Sequence, residues 1–197
     1  MNLKELKYYI YADLHRMGVV SKKRIIRTLF FAESTGTKYI MLMRLCRYLY
    51  ENKRKFLFKI LSFKLNKYKI KYGIQINPTC DIGEGLTIPH CGTIVLAGKV
   101  RIGKNCTLLQ GVTIGSNLFK SRFDVATIGD NVLIGAGSKI VGPIKIGDNV
   151  TIGANSVVTK DIPSGTVVAG NPAKIISHKD SIVIYGDYCS KEEFMKR

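Results

Sequence analysis

Few side chains in the regular part of this chain could do chemistry. Of the three histidines, His15, His90 and His178, only His90 stands inside a repeating segment, in LTIPHCGTIV. It follows Pro89 and comes two positions after Ile88, a residue of an inward-facing series, so it is expected to project from the surface near a corner. A neutral imidazole placed there can take a proton from a weak nucleophile. A lone histidine is more often structural, so its surroundings must decide. The five cysteines (Cys46, Cys80, Cys91, Cys106, Cys189) are odd in number and include no C-x-x-C pair. This argues against a disulfide framework or a structural zinc, and no metal is expected. They read as free thiols of a reducing compartment.

The elements that must position His90 are set by a period of six. Ile128, Ile134, Ile140, Ile146, Ile152 and Val158 recur at steps of six, with Gly129, Gly135, Gly147 and Gly153 following four of the first five. Six is neither the helical period nor that of a strand, and hexapeptide repeats are the signature of a parallel β-helix. Three hexads make one triangular coil, the repeated aliphatic residue of each pointing inward. Glycine is expected at the corners for its tolerance of tight turns.

The coils are expected to begin near Ile76, with Ile82, Ile88 and Ile94, then to jump by two and resume as Leu96, Ile102, Leu108 and Ile114. Between Ile114 and Ile128 the spacing is 14 rather than 12, and the polar SNLFKSRFDVAT offers no inward aliphatic. A loop near 116–127 is expected to leave the coil there, and such insertions often form a binding face. Turn formers in IPSGTVVAGNPAKII end the regular coil, and the tail from about Ser177 to Arg197 carries no pattern.

The first third is different. Leu3, Leu6, Ile10 and Leu14 suggest one amphipathic helix, and Tyr39 to Tyr50 another, surrounded by Arg44, Arg47 and Lys53, with Gly18 and Gly36 as breaks. Of the net charge of +17, +14 lies between Met1 and Lys71. Lys53 to Lys71 mixes phenylalanine, leucine and isoleucine with seven lysines and one arginine, the composition of a helix lying on an anionic membrane surface. A cap on the β-helix or on sister subunits is compatible with that. No apolar run approaches the roughly 18 residues of a membrane span, and the N-terminus MNLKELKYYIYADLHR does not look secretory. A cytoplasmic protein is expected, with peripheral contact at the inner face of the membrane left open. The three parts are 1–72, basic and helical; 73–176, the β-helix; and 177–197, a tail.

From Gln75 to Ile176 the residues resemble the hexapeptide-repeat acyltransferases, and within them the serine acetyltransferase-like branch. The resemblance rests on the early-coil histidine, LLQGVTIG from Leu108 to Gly115, the extruded loop, IGAGSKIVG from Ile134 to Gly142, and AGNPAK from Ala169 to Lys174. It implies a mainly β fold, a left-handed parallel β-helix, assembled as a homotrimer with sites between neighbouring subunits and acetyl-CoA as donor. His90 is then the general base that takes the acceptor hydroxyl's proton, and Gly115 and Ser116 are candidates for closing the site and meeting the oxyanion. Gly135, Ala136 and Ala154 match positions that let the pantetheine approach the backbone. Lys160 and Lys174 lie where the phosphates should rest.

The departures bear on the acceptor. True serine acetyltransferases carry an aspartate fifteen residues before the base, another directly before it, and a second histidine in the loop; here those positions are Gln75, Pro89 and Val125. Gln75 could orient the imidazole but brings no charge, and Asp81, Glu84 and Asp124 match no such role. The expectation is therefore an acetyl-CoA-dependent O-acetyltransferase acting on a sugar or polysaccharide hydroxyl, like those of capsule and exopolysaccharide pathways, with serine O-acetylation as the alternative. A non-catalytic scaffold is a further reading. Nucleic-acid binding is disfavoured for want of any RNA-binding or helix-turn-helix signature.

Overall fold

The computed structural model describes residues 1–18, 35–119, 124–182 and 190–195. Three helices precede a three-sided parallel β-helix: α1 (Leu3–Arg16), α2 (Thr35–Glu51) and α3 (Lys55–Tyr72). A capping box starts α1, Asn2 Oδ1 accepting from Glu5 N–H while the Glu5 carboxylate accepts from Asn2 N–H. Gly73, in the left-handed region at φ 65, ends α3 and turns the chain into the first coil.

Each face of the β-helix is one parallel sheet. The first contains β1 (Ile74–Gln75), β3 (Ile94–Leu96), β6 (Thr113–Gly115), β9 (Lys139–Val141) and β12 (Val157–Val158). The second contains β2 (Asp81–Ile82), β4 (Arg101–Ile102), β7 (Thr127–Ile128) and β10 (Lys145–Ile146). The third contains β5 (Thr107–Leu108), β8 (Leu133–Ile134), β11 (Thr151–Ile152) and β13 (Val167–Gly170), closed by the antiparallel β14 (Ala173–Ser177). The period-six residues stack in register, Ile102 on Ile128 on Ile146 and Leu108 on Ile134 on Ile152. All are buried, each contributing about 1.5–3 kcal/mol of transfer free energy.

The register relocates both irregularities. Thr87 lies opposite Thr107 at an offset of 20 residues, but Val95 lies opposite Thr113 at 18. The two extra residues therefore sit in the Pro89–Thr93 turn that carries His90, and not between Ile94 and Leu96. The offset from Arg101 to Thr127 is 26, and Ile114 and Ile128 occupy successive faces. The loop is thus an insertion of eight residues into a single six-residue step, not two residues beyond a pair of hexads.

The glycines after the inward residues also have a different cause from the one expected. A Cβ on Gly83, Gly103 or Gly129 would come 2.7 Å or less from an atom of the next coil, so they are small because neighbouring coils touch there. The tight turning falls two residues later, on Asn105, Asn131 and Asn149 at φ 56, 58 and 56. Their side chains form a ladder, Asn105 Nδ2 donating to Asn131 Oδ1 at 3.0 Å and Asn131 Nδ2 to Asn149 Oδ1 at 2.9 Å.

The helices cap the open end of the stack, and the inward-facing arginines do it. A first coil leaves unpaired carbonyls that water or protein must satisfy. Arg44 donates to Ile82 O and Gly83 O, both at 2.6 Å, Arg16 to Gly85 O at 2.7 Å, and Arg47 to Cys80 O at 2.9 Å. The Arg44 guanidinium is buried and held by both oxygens of Asp13, at 2.9 and 3.1 Å. Burial pushes the Asp13 carboxyl up, opposed by Arg44 and by hydrogen bonds from the backbone at Leu86 and Gly85. Arg44 and Arg47 therefore belong to an internal seam rather than to a basic outer face. Gly36 is not a break either; it lies in the first turn of α2, pressed against Ile88. In the tail, α4 (Lys191–Met195) brings Phe194 against Tyr8 and Tyr11, with ring centroids 5.5 and 5.3 Å apart. No helix among the described residues is long and apolar enough to cross a membrane.

Candidate active site

His90 lies on the edge where the third face turns into the first. Its side chain is exposed and makes no hydrogen bond within the described residues. The backbone beneath it is tightly fixed. Gly92 and Thr93 both have positive φ, 126 and 48, and Gly92 O accepts from Gly111 N–H at 2.8 Å in the next coil. A Cβ on Gly73 would lie 2.8 Å from Thr93 N. The two-residue insertion thus falls in the turn that exposes the imidazole, and the helical region braces that turn on both sides, through Gly73 and Gly36. The arrangement suits a general base that must meet a substrate from outside its own coil.

The same edge continues upward through hydrogen bonds from Gly137 N–H to Gln110 O at 2.8 Å and from Asn155 N–H to Ala136 O at 2.7 Å. Gly135, Ala136 and Ala154 therefore share the edge of His90, Ala136 two coils and Ala154 three coils above Gly92, about 10 and 14 Å at the usual strand spacing. Ala136 is partly exposed and Ala154 exposed, so both leave the backbone approachable. Gly135 is buried; a Cβ there would lie 2.6 Å from Ala154 N. Its smallness is required by coil stacking, whatever it does for a ligand.

The other residues lie elsewhere. Gly115 and Ser116 are at the far end of the first-face strands, where the loop departs. Gly142 N–H donates to Gly115 O at 3.0 Å, and the space where a Cβ of Gly115 would stand is open. Lys160 is exposed on that second edge, after β12, and Lys174 is exposed on β14. One chain therefore carries His90, Ala136 and Ala154 on one edge and Gly115, Ser116 and Lys160 on another. Gln75 is exposed on the first coil, with Val95 as its strand partner, and its side chain makes no hydrogen bond to His90. Asp81 pairs with Arg47 at 3.1 Å, and Glu84 with Lys104 at 3.6 Å. Asp81 is thus held by a helix, and Glu84 lies between Lys104 of the next coil and the Tyr8 hydroxyl, which donates to it at 3.2 Å. Val125 packs against the core.

One residue escaped the sequence reading. Lys139, half-buried on β9, sends its Nζ to Gly111 O, carrying a cation onto the His90 edge. In the sequence it is an ordinary outward strand position, and only the packing reveals where its ammonium goes. Among the thiols, burial pushes Cys46 up to about 11 and Cys106 up to about 12, while Cys91, beside His90, is exposed.

Residues 126–160 match the bacterial transferase hexapeptide (six repeats) family. The chain is 44% identical over 131 residues to a serine acetyltransferase of Staphylococcus epidermidis, covering 66% of this chain and 60% of that protein. It spans about half the length of the curated relatives it matches. Among solved structures, the Neisseria gonorrhoeae serine acetyltransferase in complex with serine superposes with a TM-score of 0.73 at 32% identity, over 89% of this chain and 70% of that one. A serine acetyltransferase in complex with CoA gives 0.71 at 28% identity, over 88% and 70%. With 32% identity over 89% of this chain and 70% of a solved serine acetyltransferase of the same fold, the chain belongs to the serine acetyltransferase family of hexapeptide-repeat acyltransferases.

Proposed function

We propose that this chain transfers an acetyl group from acetyl-CoA to a hydroxyl, with His90 as the base, and that the acceptor is serine. The observation that carries the reaction class is the exposed imidazole of His90 on an edge lined by Ala136 and Ala154. His90 removes the hydroxyl proton as the oxygen attacks the thioester carbon. The tetrahedral intermediate then collapses, expelling the CoA thiolate, which takes that proton from the His90 imidazolium and restores the neutral base. Acetyl-CoA is a co-substrate here; its thioester is to lie at the His90 turn and its pantetheine along the small residues above. Because His90 and Gly115–Ser116 occupy different edges of one chain, we also propose a homotrimer, in which the His90 edge of one subunit faces the loop edge of its neighbour. The relatives support serine as acceptor.

A sugar hydroxyl, a neutral acceptor, is the second reading, and one observation favours it. Gln75, Pro89 and Val125 stand where the family places two aspartates and a histidine, and Asp81 and Glu84 are committed to Arg47 and Lys104. An amino-acid ammonium group is best met by a carboxylate. Release of free thiol from acetyl-CoA, measured against serine, simple sugars and polysaccharide repeat units, separates the readings. Turnover with serine alone supports the first. Turnover with a sugar and none with serine replaces it, and no thiol release with any acceptor leaves a scaffold.

A further inference from the structure

The third helix has two apolar faces, and only one of them is used. At 100° per residue, Phe58, Leu61, Leu65, Tyr68 and Tyr72 fall within about 80° of helix circumference, and these pack against the β-helix core. Phe56, Ile60, Phe63 and Ile70 fall within about 80° on the opposite side, and they are 78%, 51%, 65% and 87% exposed. Lys55 and Lys59 flank this outer stripe on one side and Lys64 and Lys71 on the other, all exposed. Lys67 lies in the stripe, its Nζ 4.8 Å from the centroid of the Phe63 ring. The helix holds six lysines and no acidic residue. The basic region is thus divided: Arg16, Arg44 and Arg47 point inward to backbone carbonyls, and Lys55, Lys59, Lys64, Lys67 and Lys71 of α3 are exposed around the outer stripe.

We propose that the outer face of α3 docks on an anionic bilayer, the helix lying in the plane of the interface. Phenylalanine and isoleucine enter the headgroup region while lysines on both flanks reach lipid phosphates, which is how an amphipathic helix binds a membrane surface. Charge decides between occupants. A second copy would set five lysines against five lysines with no carboxylate between them. A nucleic-acid groove would use the cations and could stack on Phe56 and Phe63, but it has no use for Ile60 and Ile70 in the same stripe. The proposal is independent of which hydroxyl the enzyme acetylates.

The test is flotation of the full chain with vesicles of phosphatidylglycerol and phosphatidylcholine, and with phosphatidylcholine alone. Binding is expected on the anionic vesicles at low salt, absent on the neutral ones, and weaker once salt shortens the screening length to about 8 Å. Lys59→Gln/Lys64→Gln/Lys71→Gln is expected to lower partitioning on the order of 100-fold. Phe56→Ser/Ile60→Ser/Phe63→Ser is expected to lose binding at equal charge, with its circular dichroism and unfolding midpoint retained because all three side chains face outward. Wild-type protein that stays in the soluble fraction at low salt overturns the proposal. So does a serine variant that binds as well as wild type, since attraction would then be charge alone, or one whose oligomer dissociates in sedimentation velocity, since the face would then be a subunit contact.

Discussion

Gly36 in α2 and Ile88 in the third face touch so closely that a Cβ on Gly36 would lie 1.9 Å from the Ile88 carbonyl oxygen. Ile88 is two residues from His90, so the first turn of a helix bears directly on the placement of the His90 corner. Gly36→Ala must displace either that turn or the Ile88 peptide. Overpacking of this kind costs about 1–3 kcal/mol. The expected result is a lower unfolding midpoint in urea together with a fall in turnover, because the imidazole moves with the peptide. If stability falls and turnover does not, the corner is held by its own hydrogen bonds alone.

His90→Ala should remove the proposed general base and nothing else. The side chain is exposed and makes no hydrogen bond within the described residues, so the unfolding midpoint and the affinity for CoA should stay at wild-type values. Turnover should drop by about 10² to 10⁴. Activity above about a tenth of wild type lies outside that range and would make the histidine structural.

How much of this was legible in the sequence follows from which contacts are periodic. Ile128 to Val158 announce the coil because each inward position repeats the same environment, and the break after Ile114 announces the loop for the same reason. What meets the coil from outside is not periodic. Arg44 and Arg47 look like the solvated side of an amphipathic helix, and only their distances to Ile82, Gly83 and Cys80 carbonyls show them capping the first coil. Gly36 looks like a helix break because a glycine required by close approach and one required by a turn are the same letter. Spacing along one chain also cannot show that His90 and Ser116 fall on different edges. That requires knowing which hexad lies on which face, and the two insertions shift the count.

The seam between α2 and the first coil makes a third expectation. Asp13→Asn leaves the Arg44 charge buried without its carboxylate partner, a change that costs about 3–5 kcal/mol in comparable sites. Replacing both, as Asp13→Leu/Arg44→Met, removes the charges but also strips the donors from Ile82 O and Gly83 O. Unsatisfied buried carbonyls cost about 1–3 kcal/mol each. The double variant should therefore stay at least about 2 kcal/mol less stable than wild type in urea unfolding. Recovery to wild-type stability would mean that the Arg44 bonds to the coil-edge carbonyls contribute no net stability and that the single variant suffers only from its unpaired charge.

Cys91 reports on the site without altering its base. It is exposed next to His90, whereas Cys46, Cys80 and Cys106 are buried, and burial raises all three thiols, Cys46 to about 11 and Cys106 to about 12. A buried thiol with a raised pKa carries little thiolate at pH 8 and reacts slowly. Iodoacetamide should alkylate Cys91 ahead of those three, and Cys91→Ser should remove that adduct from the mass spectrum. Acetyl-CoA lying at the His90 turn must cover the neighbouring sulfur. At ten times its dissociation constant it should slow alkylation by about tenfold, the fraction of sites left empty by mass action. An alkylation rate unchanged by saturating acetyl-CoA would place the thioester away from this corner, and the assignment of His90 as the base would go with it.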